Sequence, residues 1–175
     1  MRVLVLAVVV AVAGCETAQP ADPEAACPSD PKKAESLGCG VFRALAGENE
    51  AAYVALVMTA RADVEAARSL IDHPGALALP TQEEEARARD EAADEFHTML
   101  EELKVYGIAP VSLQLQRIDA SQAAVRGEVG FAEEIQVHAT AGKRRVTITL
   151  DDCFLVRGRW LVSDGLRLDG HRIGR

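Results

Sequence analysis

Acids and a histidine repeat at helical spacing on one predicted helix of this chain. Asp90, Asp94, His97 and Glu101 fall at i, i+4, i+7 and i+11, and Asp94-x-x-His97 has the spacing of a carboxylate–histidine half-site in helical metal centres. On a helical wheel, however, these side chains lie opposite the apolar residues of the same helix. We therefore interpret them as a solvated acidic stripe, and we predict neither a metal ion nor another cofactor.

A further candidate acid is Asp152, which follows Asp151 in a predicted strand. Successive strand residues point to opposite faces of a sheet, so these two carboxylates cannot share a proton. If Asp152 kept the parity of Leu150 and Phe154, it would point into the buried face and burial would raise its pKa. A bulge would instead turn it toward solvent. We assign no catalytic residue, because no nucleophile motif accompanies the histidines.

The few aromatic residues either line a ligand pocket or fill the core. The candidate pocket consists of Tyr53, Phe131, Asp152, Phe154 and Trp160. Trp160 shares a strand face with Val162, and we expect its ring to be buried where the last strand meets the helices.

The cysteines point to a disulfide rather than to zinc. Cys27, Cys39 and Cys153 lack the closely spaced Cys or His pairs of zinc sites. Export to an oxidising compartment would favour a disulfide. Cys27–Cys39 would close a short loop, Cys39–Cys153 would join the first helix to the sheet, and three free thiols are the remaining alternative.

Three helices are predicted in the first half of the chain. They cover residues 34–46, 48 to about 71, and 82 to about 104. Gly47 is the expected left-handed cap of the first helix, and Thr81 with Glu84 forms a capping box before the third. Narrow apolar seams, from Tyr53 to Ile71 and from Ala93 to Leu103, predict that the two long helices pair antiparallel.

The second half alternates apolar and polar residues. This alternation predicts strands over residues 111–118, 123–138, 146–156 and 159–168, the second of them either broken by a bulge near Gly130 or divided in two. Helices followed by such strands indicate an α+β fold, with N-terminal helices packed on a C-terminal antiparallel sheet of about four long strands.

The amino terminus is typical of an export signal. The apolar run from Val3 to Ala13 follows Arg2 and is too short to span a bilayer. The sequence Val12-Ala13-Gly14-Cys15 resembles the lipobox of bacterial lipoproteins. This resemblance implies acylation of Cys15, cleavage before it and anchoring in a membrane. Glu16, where Asp would mark inner-membrane retention, favours the outer membrane, with the protein facing the periplasm.

The predicted organisation is therefore a signal peptide over residues 1–14, a lipidated cysteine with a proline-rich tether over 15–33, and one α+β domain over 34–175. The segments FRALAGE (42–48) and DCFLVRGRWLVSD (152–164) resemble the opening and the terminal hairpin of NTF2-like (cystatin-like, cone-shaped) domains. This resemblance implies a sheet curled around a helix, with a pocket inside the cone.

These features predict an envelope lipoprotein whose domain binds a ligand or partner without catalysis. Two alternatives are an NTF2-like isomerase or hydrolase that uses a pocket acid such as Asp152, and a docking subunit of an envelope assembly. The formal net charge of −8 argues against nucleic acid, whose phosphates require clustered basic residues. The expected partners are the bilayer, through the acyl anchor, and an envelope protein or small ligand.

Overall fold

The computed structural model describes residues 27–68, 78–121 and 124–173. Within these ranges the chain forms helices α1 Glu35–Ala46, α2 Glu50–Val54, α3 Arg61–Ala67 and α4 Gln82–Val105. No helix in the described part is long and apolar enough to cross a membrane. Cys15 and the predicted signal peptide lie outside the described residues.

Strands follow the helices and confirm the predicted α+β class. They are β1 Gln114–Ala120, β2 Ala124–Arg126, β3 Val129–Ala141, β4 Arg144–Val156, β5 Arg159–Val162 and β6 Leu166–Ile173. All are antiparallel, in the order β1-β3-β4-β5, with β2 also paired to β3 and β6 also paired to β4. The described sheet thus has six strands rather than about four.

The first helix packs across β1 and β3. A Cβ on Gly38 would lie 2.9 Å from Ile118 Cγ2 and 3.1 Å from Val137 Cγ2, so the missing side chain allows the close approach. The predicted left-handed cap at Gly47 is wrong: Gly47 has φ −92°. The next residue, Glu48, takes the positive φ of 48°.

The predicted second long helix is also wrong, because it is interrupted by an extended segment. Val57 forms a parallel bridge with Val162; Met58 N donates to Val162 O at 2.7 Å, and Val162 N donates to Leu56 O at 2.9 Å. Pairing with the sheet overrides helix propensity here. Consequently the short helices α2 and α3 replace one partner of the expected antiparallel pair. Ile71, the end of its predicted seam, lies outside the described residues.

The predicted capping box of α4 is confirmed. Thr81 Oγ1 accepts from Glu84 N at 3.3 Å, and Thr81 N donates to Glu84 Oε2 at 2.7 Å. Phe96, Leu100 and Leu103 of the predicted seam are buried. Ala93 is only half-buried, and its neighbour Ala92 is buried instead. The capping chemistry is local, which is why the sequence could locate this helix.

The strand predicted over residues 159–168 is divided by a bend. Ser163 N donates to Asp152 O at 3.0 Å, and Gly165 has a φ of +90° that favours glycine. As a result β5 pairs with the end of β4, and β6 pairs with the preceding part of the same strand.

The inward-facing positions of β4 shift by one residue along its length. Leu150 and Cys153 both pack in the main core although they are three residues apart. Asp152 lies between them with φ 48°, and on β3 the facing residues Ile135 and Ala132 show the same spacing. Beyond the shift, alternate side chains of β4 pack in a second cluster with α3, formed by Met58, Val64, Ala67, Phe154, Val156 and Leu161.

Candidate functional site

The face of the sheet turned away from α1 is almost wholly polar, and we call it the open face. Since α1 lies against Val137 and Ile118, the alternate positions point the other way. On β1, β3, β4 and β6 they include Arg117, Asp119, Gln136, His138, Thr140, Arg145, Thr147, Thr149, Arg167 and Asp169.

A groove of about 600 Å³ runs over this face. Its lining consists of Gln116, Arg117, Gln136, His138, Ala139, Thr140, Arg145, Val146, Thr147 and Asp169. Eight of these ten side chains carry hydrogen-bonding groups, and none is a Phe, Tyr or Trp. The groove is therefore suited to a ligand with many polar groups rather than to an apolar one.

His138 lies in the middle of the groove between an acid and a hydroxyl. Its Nδ1 is 3.1 Å from Thr147 Oγ1. Its Nε2 is 3.0 Å from Asp119 Oδ2, yet this nitrogen makes no hydrogen bond of acceptable geometry. We therefore treat the Asp119 contact as electrostatic. Thr147 and Asp119 thus flank the imidazole ring, one beside each ring nitrogen.

Hydrolases use an acid–histidine–hydroxyl chain to activate a nucleophile, but they also need backbone N–H donors for the developing oxyanion. Thr147 lies inside β4, which is paired on both sides at this position. The nearby N–H groups consequently serve the sheet. At Thr147 the sheet thus offers hydrogen-bonding side chains on a strand that is paired to both neighbours.

Ion pairs neutralise the acids at the β6 side of the open face. Arg167 lies 2.6 Å from Asp169 Oδ1 and 2.6 Å from Asp151 Oδ2, and Thr149 Oγ1 donates to Asp169. The hydrogen bond from Arg167, assisted by Thr149 and opposed by burial, lowers the pKa of Asp169. This carboxylate stays ionised and paired.

A polar pair also lies on the helix side of the sheet. Tyr53 OH donates to Glu95 Oε2 at 2.5 Å, and Leu166 N donates to Glu95 Oε1 at 2.6 Å. A Cβ at Gly165 would overlap Glu95 Oε1. Tyr53 is completely buried, and burial, followed by the Glu95 contact, raises its pKa far above the usual range. Both carboxylate oxygens are thus engaged in joining α2, α4 and β6.

The five residues of the predicted pocket do not gather around one space. Tyr53 and Trp160 pack in the main core, whereas Phe131 and Phe154 contact each other at 5.1 Å between ring centroids in the second cluster. Asp152 is exposed. Its partial desolvation and the nearby Asp164, Asp151 and Glu133 charges raise its pKa.

The predicted burial of Trp160 is confirmed, with 3% of the residue exposed. Its Nε1 donates to Lys32 O at 2.8 Å. Residues 27–33 of the predicted tether are thus held against the domain, because a disulfide also joins Cys27 to Cys39.

That disulfide is one of the three alternatives from the sequence, and it leaves Cys153 as a buried free thiol. Burial, followed by the charge of Asp151, raises the pKa of Cys153. A raised pKa suppresses the thiolate form, so this cysteine is not an activated nucleophile.

The acidic stripe of α4 is exposed as predicted: Asp90, Asp94, His97 and Glu101 all face solvent. His97 Nε2 lies 2.8 Å from Glu50 Oε2 on α2. Across the described ranges, no three His, Cys, Asp or Glu side chains are grouped so as to hold a metal ion.

Sequence reasoning missed the groove as a whole. The polar alternation of Thr147, Thr149 and Asp151 is visible in the sequence, but no motif there marks His138 as their neighbour. These polar residues form part of a groove only because the strand register places them beside Gln136 and His138, and the sequence does not give this register. No family model, curated protein or solved structure gives a significant match to this chain.

Proposed function

We propose that this chain is a lipid-anchored protein of the bacterial cell envelope, and that its α+β domain binds a polar ligand in the groove on the open face without catalysing a reaction. The observation that carries the binding role is the groove itself. It presents amide, hydroxyl, imidazole and guanidinium groups from β1, β3 and β4, with the Asp169 carboxylate of β6, on one face of the sheet. Sites on a rigid sheet hold ligand-binding groups in fixed positions.

The compartment rests on the amino-terminal sequence. Arg2, the apolar run and Val12-Ala13-Gly14-Cys15 together support acylation of Cys15 and attachment to the outer membrane on its periplasmic side. The resemblance to NTF2-like domains remains part of the proposal, since helices precede an antiparallel sheet in both.

A second candidate function is an NTF2-like enzyme, and the Tyr53–Glu95 pair is the observation that favours it. In this chain the interior acid would be Glu95, because Asp152 is exposed. The pair would have to become accessible, since Tyr53 is fully buried and Glu95 already accepts from Leu166 N. We therefore favour binding on the open face.

Nuclear magnetic resonance of the full chain in neutral detergent separates the two functions. The chain would be titrated with a panel of sugars, amino acids, carboxylates and phosphates. Binding on the open face predicts that shifted amide signals cluster over residues 136–147, and that His138→Ala weakens the shifts. Signals that move around Tyr53 and Glu95, with residues 136–147 unchanged, would contradict the proposal and support the enzyme.

A further inference from the structure

We propose that the groove binds an anionic group of its ligand, a carboxylate or a phosphate, between Arg117 and Arg145. This inference rests on the proposed function, since it names the chemistry of the ligand at the same groove. Both arginines line the groove, and they come from the two strands that flank β3.

The strand register places Arg117 and Arg145 on the same face of the sheet, on either side of β3. Arg117 of β1 pairs with His138, and Arg145 of β4 pairs with Thr140. His138 and Thr140 are alternate residues of β3, so both arginines belong to the same face. The strand spacing separates their Cα atoms by about 10 Å across the sheet and about 7 Å along it. Side chains as long as arginine can reach a single small group from these positions.

Both arginines have donors to spare. Arg117 uses Nε for Asp119 Oδ2 at 2.8 Å, which leaves its terminal nitrogens for a ligand because a guanidinium carries five N–H donors. Arg145 is exposed and has no ion-pair partner among the described side chains. By contrast, the charge of Arg167 on the same face is compensated by Asp151 and Asp169.

The hydroxyl between them is oriented for the same ligand. Gln116 Nε2 donates to Thr140 Oγ1 at 3.1 Å, so Thr140 accepts this bond and keeps its own proton for an incoming oxygen. Pairs of arginines with a hydroxyl donor match the several oxygens of carboxylate and phosphate groups.

Among the described side chains, the acids near the groove pair with Arg117 and Arg167 and leave Arg145 as the uncompensated cation of this site. Asp119 contacts both Arg117 and His138, and Asp169 is bound by Arg167 and Thr149. The chain as a whole has a net charge of −8, and the exposed Lys143 and half-buried Arg144 precede Arg145 directly. A local basic site on an acidic protein suits an anionic ligand.

The test uses inorganic phosphate and acetate as probes of the full chain in neutral detergent, followed by the amide signals of residues 138–147. Arg117→Gln and Arg145→Gln are compared with Arg87→Gln, which removes the same charge from an exposed position of α4. We expect each groove variant to weaken phosphate or acetate binding at least fivefold and Arg87→Gln to leave it unchanged. A parallel arm replaces the free anion with phosphatidylglycerol in the micelles and so identifies a lipid headgroup as the source.

Phosphate, acetate or phosphatidylglycerol binding that depends on both arginines supports the inference. Binding of none of these probes, or equal loss in Arg87→Gln, overturns it. A neutral ligand that shifts residues 136–147 and is bound equally by both arginine variants would overturn the anionic assignment and leave the proposed function standing.

Discussion

At the scale of single residues, the Tyr53–Glu95 pair shows how a buried polar contact can be structural. It joins a helix that the sequence did not delimit correctly to α4 and to the backbone of β6. The sequence gives no sign of this pair, because Tyr53 and Glu95 are 42 residues apart and Glu95 is not part of the predicted apolar seam.

Tyr53→Phe should destabilise the domain by about 1–3 kcal/mol, because it leaves a partly buried carboxylate oxygen without its donor. Urea unfolding would measure the loss. Ligand binding on the open face should be unaffected in the folded variant. An unchanged free energy of unfolding would show that the hydroxyl contributes nothing to stability.

Asp152 combines a φ of 48° with three acidic neighbours. Partial desolvation and these charges raise its folded-state pKa, so ionisation destabilises the fold above that pKa and the penalty disappears as the carboxyl protonates on acidification. Asp152→Asn should therefore stabilise the domain at pH 7 by about 0.5 kcal/mol, a small effect because the site is exposed and screened.

The same comparison at pH 3 isolates the charge contribution. Asparagine also tolerates positive φ, and this backbone benefit does not depend on pH. We expect the gain to shrink at pH 3, measured by urea unfolding at both values. A gain that is equal or larger at pH 3 would assign the effect to the backbone alone.

At the scale of elements, local signals predicted structure well where they involved neighbouring residues. The capping box at Thr81 located α4, and the Arg157-Gly158 turn, with φ values of 53° and 79°, located the last hairpin. The prediction of one long second helix was wrong because Val57 pairs with Val162, more than a hundred residues away in the sequence. The bend at Ser163–Gly165 was not predicted for the same reason, since the residues that it contacts lie on β4 and α4.

Trp160 of β5 packs in the main core and also binds the segment before α1 through Lys32 O. Trp160→Ala should cost about 3–5 kcal/mol through the cavity that it leaves, and loss of the bond to Lys32 O adds to this. Thermal melting would show it directly. The melting temperature of Trp160→Phe should lie between those of Trp160→Ala and wild type. A Trp160→Ala variant that melts within a degree or two of wild type would contradict the burial of this ring.

At the scale of the whole molecule, residues 27–33 enter the domain beside β5, because Cys27 is joined to Cys39 and Lys32 O is bound by Trp160. The basic part of the groove lies toward the Ala141–Arg144 turn, at the other end of the β3–β4 hairpin. Lys32, which Trp160 of β5 binds, and the basic part of the groove thus lie toward opposite ends of the β3–β4 hairpin.

The anchor itself is tested by Cys15→Ala. We expect a precursor that is neither acylated nor cleaved before residue 15, because the thioether forms on that sulfur. Mass spectrometry of the protein from membranes, with Cys153→Ala as the control for removing a thiol, would measure both. Normal acylation and processing of Cys15→Ala would refute the anchor.

The most direct test of the central claim is whether the groove is occupied in the native envelope. Gln116→Cys places a thiol at an exposed groove position, and Ala86→Cys places one at an exposed position of α4. Native cysteines in the described ranges should not react with maleimide, since Cys153 is buried and Cys27 is bonded to Cys39. Maleimide labelling would be compared between envelopes and the purified protein. The proposal predicts that Gln116→Cys reacts several times more slowly in envelopes while Ala86→Cys does not change; equal rates for Gln116→Cys in both preparations would contradict a ligand bound in the groove.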